Sequence, residues 1–407
     1  MIDNQSTTWG EVCELKYGKG LRGYKDAVGA VPVYGTNGPV GWCDESLSKI
    51  PSVIIGRKGA YRGIHFSKIP FYVIDTAFYL VPSPKLDTTW AYYNLLTVDI
   101  NGMDSGSAIP STSRDDFYRL PLRLPPLTEQ KSIASVLGAL DDKIENNRRM
   151  NDTLEEMARV IFKSWFVDFD PVHAKAAGNA PAHMDGDTAA LFPSSFGDDG
   201  LPVGWELQKI EDVTTLLKRG IAPKYTDGGC VVINQKCIRN DSINFDLARR
   251  HNQKVKPLKD KELQLGDVLI NSTGVGTLGR VATVRILVEP ATVDSHVTIV
   301  RPNPIIVEPI ILGILLERSA EKIADMGQGS TGQTELKPSF VGDIEIVLPS
   351  KDVQQVFKSV AGPLREKVVQ NQSESQTLSE LRDTLLPKLM SGEIRVADAE
   401  REVEAVV

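Results

Sequence analysis

The sequence predicts an α+β chain in which one design occurs twice: a β-rich domain followed by a long helix, then the same pair again, with the two helices joined as a coiled coil. Self-similarity is the first ground for this reading. A shift of 224 residues lays Leu124-Pro125 on Leu348-Pro349 and runs without a gap to Phe166 and Met390, placing Gln130 on Gln354, Asn147 on Asn371 and Leu154 on Leu378. Upstream the offset shrinks as loop differences require. There Gly106-Ser107 meets Gly329-Ser330, Asp75-Thr76 meets Asp294-Ser295, and the strand-like Ser52 to Gly59 meets Asp267 to Gly274. The second ground is a heptad pattern in both helical stretches, and the third is the turn-rich, β-branched character of the segments before them.

In chain order, residues 1–125 form the first β-rich domain, closed by Pro125-Pro126, because proline cannot continue a central strand. Residues 126–166 form the first spacer helix. Its apolar seam steps by four and three through Ile133, Leu137, Leu140, Ile144, Asn147, Asn151, Leu154, Ala158, Ile161 and Trp165. Residues 167–200, rich in Gly, Pro, Ala and Asp, read as a loosely structured linker. Residues 201–349 repeat the β-rich domain and end at Pro349, and 350–395 repeat the helix. Its seam runs through Phe357, Ala361, Leu364, Val368, Asn371, Ser375, Leu378, Arg382, Leu385 and Leu389. Residues 396–407 are an acidic tail. Both seams turn polar at the same place, and buried asparagine on a seam lowers stability while fixing register. Matching defects in matching places favour a shared seam over two amphipathic helices that each pack on their own domain.

The net charge of -7 argues against a simple basic nucleic-acid binder, yet its distribution is uneven. Residues 1–125 carry 13 Lys and Arg against 12 Asp and Glu, whereas 126–190 carry 7 against 11 and 350–407 carry 8 against 10. The helical stretches therefore hold most of the negative charge. Basic islands stand at Arg57 to Lys68 and at Arg249 to Lys261. Such islands are often only solvated faces. No apolar run approaches the length of a membrane span and the start is no signal peptide, which leads us to expect a cytoplasmic protein. Cys13, Cys43, Cys230 and Cys237 form no CxxC pair and no zinc spacing, as expected of free thiols.

Catalytic signatures fail on inspection. Gly274-Val275-Gly276-Thr277-Leu278-Gly279 fits GxGxxG, but a dinucleotide or S-adenosylmethionine loop must open a helix, and here the strand-like Arg280 to Val288 follows. A glycine-rich hairpin that lets backbone approach a partner fits better. There is no GxxxxGK loop, and Asn303-Pro304-Ile305 is no amino-methyltransferase signature. His65, His173, His183, His251 and His296 show no ligand-like spacing. No catalytic residue, metal site or bound cofactor is assigned to the chain.

What recurs in both halves is a set of polar, glycine-rich loops. In the first half they offer Thr36, Asn37, Arg57, Lys58, Tyr61, Arg62 and Ser107. In the second they offer Asn234, Gln235, Lys236, Arg239, Ser272, Thr273, Thr277, Arg280, Gln333 and Thr334. These residue types reach base edges and phosphates, and Tyr61 adds an aromatic able to stack or wedge. Any one such loop is as readily an ordinary turn, since Gly, Asn and Ser dominate turns. Recurrence in both halves favours a function.

At Leu120 to Val172 (LPLRLPPLTEQKSIASVLGALDDKIENNRRMNDTLEEMARVIFKSWFVDFDPV), echoed by LPKLMSGEI at Leu386 to Ile394, the chain resembles the specificity subunits of type I restriction–modification systems over essentially its whole length. The second copy departs from the pattern where Val353 stands opposite Glu129. The resemblance implies two target-recognition domains, each reading half of a split, asymmetric site in double-stranded DNA. It also implies that the helices pair antiparallel as a spacer and dock two modification subunits, adenine methyltransferases. Restriction subunits would complete an ATP-dependent nuclease, and S-adenosylmethionine, ATP and Mg would belong to those partners. A continuous helix from Thr128 to Phe166 would span about 58 Å, which bounds the distance between module centres at about 17 base pairs. A scaffold that binds proteins without touching DNA is the alternative from another class, and a methyltransferase using the GxGxxG loop is a third.

Overall fold

The computed structural model describes residues 5–103, 110–329 and 334–406. The chain divides into two compact units, Met1–Asn147 with Ser373–Val407, and Arg148–Gln372. Each unit thus owns one β-rich segment and a half of each long helix.

In the first unit a four-stranded antiparallel sheet runs in the order Cys13–Tyr17, Ala77–Pro82, Ser52–Gly56, Ile64–Ser67. Ser52–Gly56 is buried throughout, as a continuous Val-Ile-Ile run covered on both faces should be. A second sheet joins Gly38–Cys43 antiparallel to Val31–Gly35, which pairs in parallel with Tyr72–Val73. The terminal strand Gln5–Thr8 zips against Pro121–Leu124. The helix Thr88–Leu96 starts where the Asp87 carboxylate accepts from the Trp90 backbone N–H at 2.9 Å. It brings Trp90 into a core shared with Trp9 and Phe117.

The second unit repeats this plan. Its first sheet is ordered Thr214–Arg219, Val297–Pro302, Val268–Asn271, Val281–Thr283. Its second holds Cys230–Ile233 parallel to Ala291–Val293, and Glu206–Lys209 zips against Glu345–Leu348. Pro309–Arg318 takes the place of Thr88–Leu96. The duplication read from sequence is therefore a duplication of the first sheet's strand order and of the end pairing, with a parallel strand pair in each second sheet, while the second unit adds strands of its own to that sheet.

The long helices span Leu127–Phe166 and Lys351–Ser391. Gly138 does not interrupt the first. Within the first unit Arg382 meets Asp141 at 2.7 Å and Asn147 donates to Glu374 at 2.7 Å. Within the second, Asn371 donates to Asn151 at 2.9 Å, and the Phe162 and Phe357 rings lie 5.8 Å apart. Numbers rise along one helix as they fall along the other, so the pairing is antiparallel in both units. Of the seam positions, Ile133, Leu140, Asn147, Val368, Asn371, Leu378 and Leu385 are buried, and Ile144, Leu154, Ile161 and Leu364 are half-buried.

The Gln130/Gln354 match has a physical cause. The Gln130 amide donates to the carbonyls of Lys85 and Pro125 and accepts from the Asp87 N–H, all within 2.9 Å. Gln354 does the same for Ile306, Pro349 and Glu308. Both side chains are fully or almost fully buried, and each saturates backbone groups that the helix start and the preceding loop leave unpaired.

Two segments differ from the sequence expectation. The 167–200 stretch, expected to be loose, carries the helices Asp170–Ala176 and Gly186–Leu191 and buries Val172 and Phe192. Trp165 stacks edge-on against Phe192 at 5.1 Å, and Phe169 against Trp205 at 5.7 Å. Its scattered aromatics, far apart in sequence, supply the packing that its Gly and Pro content conceals. The acidic tail forms the helix Val396–Glu404, which buries Ala399 in the first unit's core. Here the charges occupy one face and the small apolar residues the other.

Candidate nucleic-acid interface

In the first unit the loop between Ser52–Gly56 and Ile64–Ser67 is held from several sides. Thr36 Oγ1 lies 2.8 and 2.7 Å from the carbonyl oxygens of Lys58 and Thr76 and gives its one proton to either. The Thr112 N–H donates to the Arg57 carbonyl at 2.9 Å, and the Gly59 N–H to the Pro110 carbonyl at 3.0 Å. Arg57 donates to the Asp75 carbonyl at 3.2 Å and lies over the Tyr17 ring at 4.8 Å, with Arg114 5.3 Å from the same ring. Lys58 faces Asp75 at 3.8 Å. Asn37 is exposed beside this group.

Arg62, expected to reach DNA, is only 2% exposed. Its guanidinium donates inward to the carbonyls of Ile100 at 3.2 Å and Asn101 at 2.7 Å. A basic residue beside glycines reads as surface, but here it closes the carbonyls that follow the Thr88–Leu96 helix. Tyr61, between Lys58 and Arg62, is 75% exposed.

In the second unit the Gly274–Gly279 loop joins two antiparallel strands, Val268–Asn271 and Val281–Thr283, and opens no helix. Thr273 Oγ1 sits 2.9 Å from His296 Nδ1 and 3.3 Å from Gln235 Oε1, while Asn271 Nδ2 donates to the Gln235 carbonyl at 3.0 Å. Thr277 Oγ1 donates back to the carbonyls of Thr273 and Gly274, and Arg280 donates to those of Gly276 at 2.8 Å and Ile238 at 3.4 Å. Asn234 ties down its own turn by accepting from the Lys236 N–H. Lys236 and Arg239 are exposed, and Thr334 lies half-buried beside Gly327.

Ser272 is buried, sharing a hydrogen bond of 2.6 Å with Thr298, because it continues the inward-facing strand. Ser107 and Gln333 fall outside the described residues. The structure thus gathers Gln235, Thr273, Thr277 and Arg280 around one loop, and Thr36, Arg57 and Lys58 around its counterpart. It turns Arg62 and Ser272 inward.

Part of the basic island at 249–261 is tied down, while Arg249, Lys254 and Lys259 stay exposed. Arg250 pairs with Glu289, Lys256 donates to the Ala222 carbonyl and Lys261 to that of Gly220. Arg249 lies over Tyr225 at 3.4 Å.

Sequence reasoning missed Tyr17, Arg114, Arg219 and His296. The available signal was a glycine at the end of the first sheet strand in each half. A Cβ at Gly18 would meet the Ile74 carbonyl oxygen at 2.0 Å, and one at Gly220 the Val293 oxygen at 2.1 Å, so Tyr17 and Arg219 are presented next to a fixed close approach. A buried charge network was missed as well. Glu317 pairs with Arg365 at 2.5 Å and Arg285 at 3.0 Å and accepts from Thr283 at 2.6 Å, and Glu155 also meets Arg285. Burial pushes the Glu317 carboxyl up, but Arg365 and Arg285 outweigh it and hold the group below the ordinary carboxylate range.

Among the described residues no group of three or more His, Cys, Asp or Glu side chains is arranged to hold a metal, and no helix is long and apolar enough to cross a membrane.

Residues 1–156 match the model of the type I restriction modification DNA specificity domain. The type I restriction enzyme HindI specificity subunit of Haemophilus influenzae is 26% identical over 388 residues, covering 79% of this chain and 81% of its own length. The MjaIX specificity subunit of Methanocaldococcus jannaschii is 25% identical over 336 residues, covering 78% of this chain and 72% of its own. The crystal structure of a type I restriction–modification S subunit from M. genitalium superposes with a TM-score of 0.61 at 18% identity, covering 95% of this chain and 96% of that one, a likeness of fold.

Proposed function

We propose that this chain, a member of the type I restriction–modification specificity-subunit family, reads a bipartite, asymmetric DNA site with one recognition domain on each half. The carrying observation is that equivalent hairpin loops, held at equivalent points, present different side chains. Lys58 bridges to Ser111 in the first unit and Thr273 to Glu335 in the second, yet Arg57 and Lys58 flank one loop while Gln235, Thr273 and Arg280 flank the other. Equal backbones with unequal contact groups suit two readers of different sequence. Residues 1–125 and 201–349 are the readers in this proposal, and the paired helices set the gap between half-sites.

The helices also recruit two modification subunits, with restriction subunits joining that assembly. Bond-making chemistry, with its S-adenosylmethionine, ATP and Mg, resides on those partners. The charge balance supports this division. A reader near neutrality on acidic helices has little intrinsic grip on phosphate, so the recruited subunits supply most of it. Single-molecule methylome sequencing of cells with and without the gene tests the proposal. A split methylated motif that appears only with the gene supports it; an uninterrupted motif, or none, overturns it.

A further inference from the structure

One pair of cations in the first recognition domain has no acidic partner. Arg57 and Arg114 lie 4.8 and 5.3 Å from the centre of the Tyr17 ring, and Arg114 lies 6.0 Å from that of Tyr118. Arg57 spends one donor on the Asp75 carbonyl, at 3.2 Å. Arg114 makes no hydrogen bond or ion pair among the described residues, and its Nε is buried without a partner. The neighbouring carboxylates are turned elsewhere: Asp75 faces Lys58 at 3.8 Å and Asp116 faces Arg119 at 3.3 Å. Beyond Tyr17 the chain adds Lys19, Arg22 and Lys25, all exposed and without an ion pair among the described residues.

The two guanidinium carbons are at most about 10 Å apart, the two distances to the ring centre laid end to end. That is no more than a Debye length at 0.1 M salt, about 10 Å, so the charges repel. Half-buried guanidinium groups ordinarily find a carbonyl or carboxylate for their donors. Here aromatic rings hold the charge instead, and a ring face attracts a guanidinium without consuming its N–H groups.

The second domain does not repeat the pair. The strand Cys13–Tyr17 runs into Gly18, which donates to the Ala77 carbonyl at 3.1 Å. Thr214–Arg219 runs into Gly220, which donates to the Val297 carbonyl at 3.0 Å, so Arg219 stands where Tyr17 does. The Thr112 N–H donates to the Arg57 carbonyl at 2.9 Å and the Leu336 N–H to that of Ser272 at 2.8 Å. Two residues further on each chain enters a helix, at Arg114 and at Pro338. Ser272 and Pro338 thus replace the two arginines, while Arg219 is engaged by Glu335 and the Leu336 carbonyl. The second copy neutralises its cation at this point; the first leaves two open.

We propose that Arg57 and Arg114, held on Tyr17, form a seat for one backbone phosphate of the DNA strand at the first half-site. The seat presupposes the reading of the chain as a DNA reader, and gives the first recognition domain an anchor that the second lacks. A phosphate suits the pair better than a base edge, because an anion relieves the repulsion whereas a base offers acceptors without charge.

The test uses the complex of the full chain with its modification subunits, on duplexes that carry the motif found by methylome sequencing. Each phosphate in and beside the two half-sites is replaced in turn by an uncharged methylphosphonate. Wild-type binding should weaken about tenfold when one particular phosphate at the first half-site is neutralised. Arg114→Gln should weaken binding to the unmodified duplex by a similar factor and abolish the sensitivity at that phosphate alone. It should also reduce the salt slope of the binding constant by about 1, with Arg114→Lys retaining the wild-type slope. Arg57→Gln should lose sensitivity at the same phosphate, a second readout should Arg114→Gln prove unstable.

Variants that keep the wild-type methylphosphonate profile overturn the seat and leave bipartite reading intact. So does a penalty from 7-deazaguanine that Arg114→Gln abolishes, since the arginine would then read guanine N7. A wild-type complex that binds no split motif overturns the reading and the seat together. Unchanged melting temperatures of the variants separate loss of a phosphate contact from loss of fold.

Discussion

Arg62 and Glu317 show how a charged residue's role depends on partners that the local sequence does not name. Arg62 stands in a glycine-rich basic stretch yet serves carbonyls some forty positions away. Arg62→Met is expected to destabilise the first unit by about 1–3 kcal/mol, because the carbonyls of Ile100 and Asn101 lose their donor in a buried setting. Chemical denaturation checks this, and a variant as stable as wild type refutes the assignment. Glu317→Gln leaves Arg365 and Arg285, both largely buried, to share Glu155 alone, and should cost about 3 kcal/mol.

The sign of the pH dependence follows from the same pair. Glu317 has a folded pKa below its unfolded value, so its stabilisation is complete above the ordinary carboxylate range near pH 4 and is lost as the pH falls through the folded value. Glu308 adds to this trend: burial raises its carboxyl, but Lys351 and Lys358 bring it below the ordinary value. Acid unfolding followed by circular dichroism should show a shallower low-pH limb in Glu317→Gln than in wild type. An identical limb would remove Glu317 from the account. None of this was legible in the sequence, because Glu155 and Arg365 on a long helix read as a solvated face.

At the scale of elements, spacing wrote the helices plainly and packing wrote the rest. The heptad seam announced both helices to within a few residues and located the polar step at Asn147 and Asn371, since periodicity is a local property of the chain. The 167–200 segment was misjudged for the opposite reason: Val172, Phe192 and Trp205 are unremarkable until the fold brings them to Trp165 and Phe166. The candidate loops were legible by region more than by side chain, because glycine positions mark loops whereas only the fold shows which way Arg62, Ser272 or Tyr61 faces. The polar step yields an element-scale prediction. Replacing Asn147 and Asn371 together by Leu should raise the melting temperature, since buried asparagine costs stability, and should relax the register. The relaxed register would appear in methylome data as more than one gap length between the half-sites. A lower melting temperature with a single gap would contradict that role.

For the whole molecule, duplication followed by divergence would be the economical cause of the split and asymmetric specificity proposed above. The two units keep one strand order in the first sheet, one glutamine lock at each helix start and one bridged hairpin, while their exposed side chains have drifted apart. In the proposed reading the helices convert residue count into distance along DNA. Removing one heptad from each, in register, shortens the pair by about 10 Å, or about three base pairs. Methylome sequencing of cells carrying the shortened chain in place of the wild type tests this most directly. Both half-sites should be unchanged in sequence and the gap between them about three base pairs shorter. An unchanged gap, or an altered half-site, would contradict it.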